Sequence, residues 1–121
     1  MAFNTSDYKH ACQLVLELDD SIRFVGRMEN RMLLAFVRRK GSSPLLDDEL
    51  GNLAHHQAAI KVSMEEMFDE SLGFTNWMIT AKEKVKLITF FLDDGLLILS
   101  TESKSDHDEI IKKIQNMNMK L

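Results

Sequence analysis

Residues 22–41 read IRFVGRMENRMLLAFVRRKG. Two short runs, Ile22 to Met28 and Met32 to Val37, carry the β-branched, aromatic and long apolar side chains that fit strands. Only Glu29, Asn30 and Arg31 stand between them, too little chain for a parallel crossover, so the pair must fold back as an antiparallel hairpin. In the first run Ile22, Phe24, Gly26 and Met28 alternate onto one face and Arg23, Val25 and Arg27 onto the other, while the second run is apolar on both sides. The same stretch holds six of the chain's 15 basic residues, Arg23, Arg27, Arg31, Arg38, Arg39 and Lys40, against Glu29 alone. It is therefore +5, and the remainder of a chain of net charge −4 carries −9.

Upstream, Thr5 to about Asp19 reads as a helix: Thr5 or Ser6 caps its first turn, and Tyr8, Ala11, Cys12, Val15 and Leu18 recur on one face. Downstream, Ser43 suits an N-cap and Pro44 a first helical position, with Asp47, Asp48 and Glu49 at the positive end of the dipole. Leu46, Leu50, Leu53, Gln57, Ile60, Met64 and Met67 then step by fours and threes along a seam, flanked by Ala54, Lys61 and Phe68. Gly73 is expected to end this long helix just past Leu72 in a left-handed cap, and Gly51 to mark a bend. Phe74 to Ala81, Val85 to Leu92 and Leu96 to Thr101 are three more strands, joined at Ala81-Lys82-Glu83-Lys84 and at Asp93-Asp94-Gly95, where Asp-Gly signals a hairpin through its tolerance of positive φ. A last helix starts at Ser105, its expected cap, and carries Ile110, Ile111, Ile114, Met117 and Leu121 as an apolar stripe.

The order α-β-β-α-β-β-β-α predicts an α+β fold with one five-stranded antiparallel sheet. The runs VKLITFFL and LLILS are apolar throughout, which implies a sheet covered on both faces. The expected arrangement sets the long central helix against one face and the two terminal helices against the other. With 121 residues, 45% hydrophobic and 28% charged, residues 1–121 make a single globular domain with a core of its own. A lone cysteine, Cys12, excludes an internal disulfide and fits a reducing, cytoplasmic setting. The start MAFNTSDYKH lacks the features of a signal peptide, and no apolar run suggests a membrane span.

Chemistry is sparse. The five glycines are scattered singly, so there is no phosphate-cradling loop. Cys12 falls on the apolar face of the first helix with no base in the pattern, which suits a buried hydrophobe. His55 and His56 are adjacent on a helix, diverge by about 100° and have no ligand partner at helical spacing, so no metal site is expected. Asp19-Asp20, Asp47-Asp48 and Asp93-Asp94 sit at element ends where aspartate caps and turns, and Glu83-Lys84 reads as a charged turn. No cofactor and no catalytic residue is indicated.

Two interaction features stand out. The basic residues Arg23, Arg27, Arg31, Arg38, Arg39 and Lys40 are candidates for binding an anion, for keeping a sheet edge soluble, or for facing the acidic long helix, the favoured reading. Segment 45–70 carries −6, which supplies that complement. Nucleic acid is disfavoured because the chain is acidic and no aromatic residues interleave with the basic ones. On the long helix, apolar surface with Met64, Met67 and Phe68 is left for a partner unless the sheet consumes it. Trp77 lies in a candidate edge strand, where an interface and a core position are both open.

The element order resembles the roadblock domain, and more loosely longin and profilin-like folds. Ile22-Arg23-Phe24-Val25-Gly26, Gly41 with Pro44-Leu45-Leu46, Phe68-Asp69 with Leu72-Gly73, Glu83-Lys84, and Leu97 with Ser100 and Glu102 look like motifs of an uncharacterised family of small archaeal proteins, in the same order from about Asp7 to Ile114. The turn at Glu29-Asn30-Arg31 departs from the roadblock pattern in lacking a glycine. Roadblock domains pair into dimers and serve as platforms that regulate small GTPases without catalysis of their own. The resemblance thus implies a non-enzymatic, homodimeric scaffold or regulator, with Leu50, Leu53, Ile60, Met64, Met67, Phe68 and Trp77 as dimer or partner interface and a small GTPase as partner. The alternative is a profilin-like sensor in which Arg23 and Arg27 recognise an anionic small molecule.

Overall fold

The computed structural model describes residues 5–42, 57, 60–117 and 121. Helix α1 spans Thr5–Leu16, followed by strands β1 (Ile22–Glu29) and β2 (Met32–Arg38). A helical stretch over residues 60–66, α2, precedes the short helix α3 (Asp69–Leu72). Strands β3 (Trp77–Ala81), β4 (Val85–Leu92) and β5 (Gly95–Glu102) and helix α4 (His107–Gln115) complete the chain. The expected cap at Ser43-Pro44, the Gly51 bend, the N-terminal half of the long helix and the capping side chains of Thr5 and Ser6 lie outside the described residues.

The five strands form one antiparallel sheet in the order β2-β1-β5-β4-β3, which places β2 and β3 at the two edges. The register lines up Val37, Val25, Leu99, Ile88 and Ile79 in one apolar row across all five strands. Cys12, Val15 and Leu16 of α1 and Ile110, Ile111 and Ile114 of α4 pack on this face, so both terminal helices share one side of the sheet, as expected. α1 lies across β1 and β2. On the other face, Phe36 and Leu87 stay 50% and 40% exposed.

Several local features depart from the sequence pattern. Register shifts interrupt the alternation of β1 between Ile22 and Phe24 and that of β2 opposite Arg27/Met28. Ile22, expected on a face with Phe24, is instead fully buried in the same cluster as Val25, because a bulge re-aims the side chains beyond it. The β1–β2 turn is two residues long: Glu29 pairs with Met32, and Asn30 and Arg31 both adopt positive φ, 52° and 65°. That is the backbone a tight hairpin needs, here without glycine.

Gly95 works for a different reason than expected. Its φ is not positive; instead a Cβ there would collide with the backbone oxygen of Met28 and the guanidinium of Arg27. The long helix also does not run unbroken to Leu72. Met67 N–H bonds to Met64 O and Phe68 N–H to Glu65 O, both three residues back, so the helix tightens into a turn before α3. Gly73 ends α3 at φ 87°. At α4 the cap is Asp106, whose carboxylate accepts from Glu109 N–H at 3.2 Å. Ser105, the expected cap, is buried and bonded to Thr101 Oγ1 at 2.7 Å, while Lys86 Nζ donates to its carbonyl at 2.7 Å.

Replacing Gly95 by alanine therefore forces backbone apart and is expected to cost about 1–3 kcal/mol of stability, read as a lower urea midpoint. An unchanged midpoint would contradict the close approach of β5 to the Arg27–Met28 bulge.

Candidate functional site

The six basic residues of the hairpin do not form one site. Arg27, on the helix-covered face, is 1% exposed: its Nη2 meets Asp94 Oδ1 at 2.5 Å, its Nη1 donates to Met28 O at 2.6 Å, and its guanidinium lies 5.0 Å from the centre of the Tyr8 ring. Arg39 is a clamp for carbonyls, donating from Nε to Ile22 O at 2.6 Å and from Nη2 to Leu16 O and Asp19 O at 2.7 and 2.9 Å. It thereby satisfies acceptors at the C-terminal end of α1 and fastens it to β1. Arg23 stands 4.0 Å from Glu102. Arg38 is exposed and lies over the Phe24 ring at 5.2 Å, and Phe24 stacks on Phe36 with centroids 5.8 Å apart. Arg31 and Lys40 are exposed at opposite ends of the hairpin.

These placements bear on two expectations. The ion pairs described for Arg23 and Arg27 run to Glu102 on β5 and to Asp94 in the β4–β5 turn, while the acidic start of the long helix lies outside the described residues. Arg27 is poorly placed to receive an anion, because its charge is buried and matched within the fold. No signal in the sequence distinguished Arg27 from Arg38. Both read as alternating cations, and the difference arises only because α1 covers one face of β1 and β2.

The apolar residues named for an interface have a clearer geometry. In α2 the half-buried positions are Lys61, Val62 and Glu65, while Ile60, Met64 and Met67 are 43%, 59% and 78% exposed. The described part of the seam, in α2 and the turn after it, therefore faces outward. Phe68, Leu72 and Phe74 continue the exposed series to Trp77, itself 37% exposed at the start of edge strand β3. Leu50 and Leu53 lie outside the described residues. A hydrogen bond from Phe91 N–H to Asn76 O sets the phase of β3, so Trp77, Ile79 and Ala81 turn their main-chain groups away from β4.

Catalytic chemistry does not assemble among the described residues. Cys12 is fully buried, and burial pushes its thiol up to about 11, against a smaller opposing pull from Arg27. Asp19 bonds Ser21 through its backbone N–H and its hydroxyl at 2.9 and 2.6 Å, which holds the carboxyl below its usual range and identifies it as a turn residue. Glu83 and Lys84 are exposed in the β3–β4 turn. No three of His, Cys, Asp and Glu come together as a metal site among the described residues, and His55 and His56 lie outside them. No described helix is long and apolar enough to cross a membrane.

No protein-family model and no curated protein matches the chain in sequence. Its fold is that of roadblock/LC7 domains. MglB of Myxococcus xanthus superposes with a TM-score of 0.74 at 11% identity, over 95% of this chain and 84% of that one. The gliding protein MglB of Thermus thermophilus gives 0.70 at 13% identity, over 95% and 86%. A roadblock/LC7 domain from Streptomyces avermitilis gives 0.65 at 8% identity, over 88% and 93%.

A thiol held neutral and out of solvent should be inert in the native protein. At pH 8, labelling of Cys12 by a chromogenic disulfide is expected to run at least on the order of a hundredfold slower than in denaturant. Rapid native labelling would contradict its place between α1 and the sheet.

Proposed function

We propose that the protein is a non-enzymatic, homodimeric scaffold or regulatory module, and that a small GTPase is its partner. The observation that carries this reading is the outward-facing apolar series Ile60, Met64, Met67 and Phe68, continued to Trp77 beside an uncharged strand edge, WMITA. Isolated exposed apolar residues are ordinary, but exposed apolar residues that recur along one helix and on through the chain to an edge strand suit an association surface. Methionine suits such a surface because its flexible side chain adapts to irregular partners. The outward main-chain groups of β3 add donors and acceptors that a second sheet edge can satisfy. Leu50 and Leu53 extend the same seam in sequence. The roadblock resemblance supplies the GTPase as partner class, and one MglB structure is described with a tetrameric arrangement, a precedent for association through this fold.

The anion-sensing alternative loses one of its two residues, since Arg27 is engaged with Asp94 under α1.

Size-exclusion chromatography with light scattering tests the dimer. The wild-type protein is expected at twice the chain mass and the Met64→Glu variant at the chain mass, still folded with a cooperative thermal melt, at a lower midpoint because the stabilisation from association is lost. A wild-type monomer at high concentration, indifferent to Met64→Glu, overturns the reading. Nucleotide hydrolysis and exchange by a small GTPase of the same organism should change several-fold with the wild-type dimer and not with the variant. A dimer that leaves both rates unchanged removes the GTPase and keeps the scaffold.

A further inference from the structure

We propose that the outer edge of β2, together with the groove between it and α1, accepts an extended acidic segment of a partner protein as an added strand. β2 is the end strand of the sheet, and its pairing phase is set by the hydrogen bond from Arg39 N–H to Arg23 O at 2.8 Å. Residues 35 and 37 therefore point their main-chain groups at β1, and Phe36 and Arg38 point theirs outward. Leu34 is the extra residue at the bulge, between the pairs formed by Leu33 and Ala35. An edge of this kind is a ready template for one more strand.

The groove gives that edge a shape. It encloses about 550 Å³ and is lined by Lys9 and Gln13 of α1 and by residues 33–38 of β2. A strand laid along β2 would alternate its side chains between two environments. One set enters the groove, over the nearly buried Ala35 and Val37 and beside Lys9. The other set meets the half-exposed Phe36, which is backed by Phe24 and flanked by Arg38.

Charge selects the occupant. Lys9 and Arg38 line the groove with no acidic side chain among its described lining residues, and Arg31 and Lys40 stand exposed beyond its two ends. Glu29, the hairpin's one carboxylate, is half-buried and accepts from the Tyr8 hydroxyl at 3.4 Å. A second copy of this chain fits poorly, because antiparallel self-pairing would set two clusters of like charge about 5 Å apart. The uncharged β3 edge has no such conflict. The two edges of the sheet are thus suited to different partners, and the β2 site stands independently of the dimer.

The test uses a labelled eight-residue peptide alternating glutamate and valine, titrated against the full chain and read by fluorescence anisotropy and amide NMR. Binding is expected to weaken with salt, to fall at least tenfold in the Lys9→Glu/Arg38→Glu variant, and to vanish when lysine replaces glutamate in the peptide. The amides of Phe36 and Arg38 should shift and exchange more slowly with solvent when the peptide is bound. A peptide with every internal amide N-methylated keeps the charge and loses the donors, so it should not bind. Equal binding of the methylated peptide, protection at β3 instead of β2, or no binding at millimolar peptide each overturns the proposal. Both substituted side chains are exposed, and a thermal melt confirms that the variant is folded. Light scattering of the same samples reports the dimer separately.

Discussion

The guanidinium of Arg27 lies in a row that reads Ala35, Arg27, Leu97, Phe90 and Trp77 across the sheet, a charge among apolar neighbours. Burying such a charge is tolerable only with close compensation. Asp94 from the β4–β5 turn, the carbonyl of Met28 at the bulge and the ring of Tyr8 on α1 provide it, each from a different element. Gly95 is a glycine so that the turn bearing Asp94 can approach. The compensation is incomplete, since Arg27 Nε is buried without a partner among the described atoms. Breaking a fully buried pair costs about 3–5 kcal/mol, and this one less, because Asp94 keeps 39% of its side chain in solvent. The contact holds α1, the first hairpin and the second hairpin in one relation.

That relation decides which surfaces are left over. With α1 and α4 on the same face, the core closes around Val25, Val37, Ile88 and Leu99. The strands at the two ends of the sheet keep open edges of opposite character. β3 is uncharged and follows the exposed Met64–Phe74 series along the chain, whereas the β2 edge carries cations from two elements. Arg39 shows how narrow the margin is. It is one residue from Arg38, yet it points inward to hold three carbonyls, because successive strand residues face opposite ways.

Much of the fold was legible in the residues. The hairpin at 22–38 follows from a turn too short for any crossover, β4 was readable residue for residue from VKLITFFL, and the stripe of α4 from its spacing. The errors were local and share a cause. Alternation fails at a bulge in each strand of the first hairpin, Ser105 gives up the cap to Asp106 because a buried hydroxyl on Thr101 competes for it, and Gly95 answers a steric demand from a strand nearly seventy residues away. Each depends on contacts between distant segments, which no local period encodes. The outward seam of α2 was readable as a seam, but not which way it faced.

By itself, then, the sequence determined the element order, the antiparallel pairing within each hairpin and the apolar stripes, because these arise from turn length and from periods of two and of three to four residues. Tertiary structure alone decided the strand order, the burial of Arg27, the use of Arg39 as a carbonyl clamp and the contrast between the two sheet edges. A side chain's charge is written in the chain, but whether water or another element surrounds that charge is settled only when α1 and the β4–β5 turn close over β1.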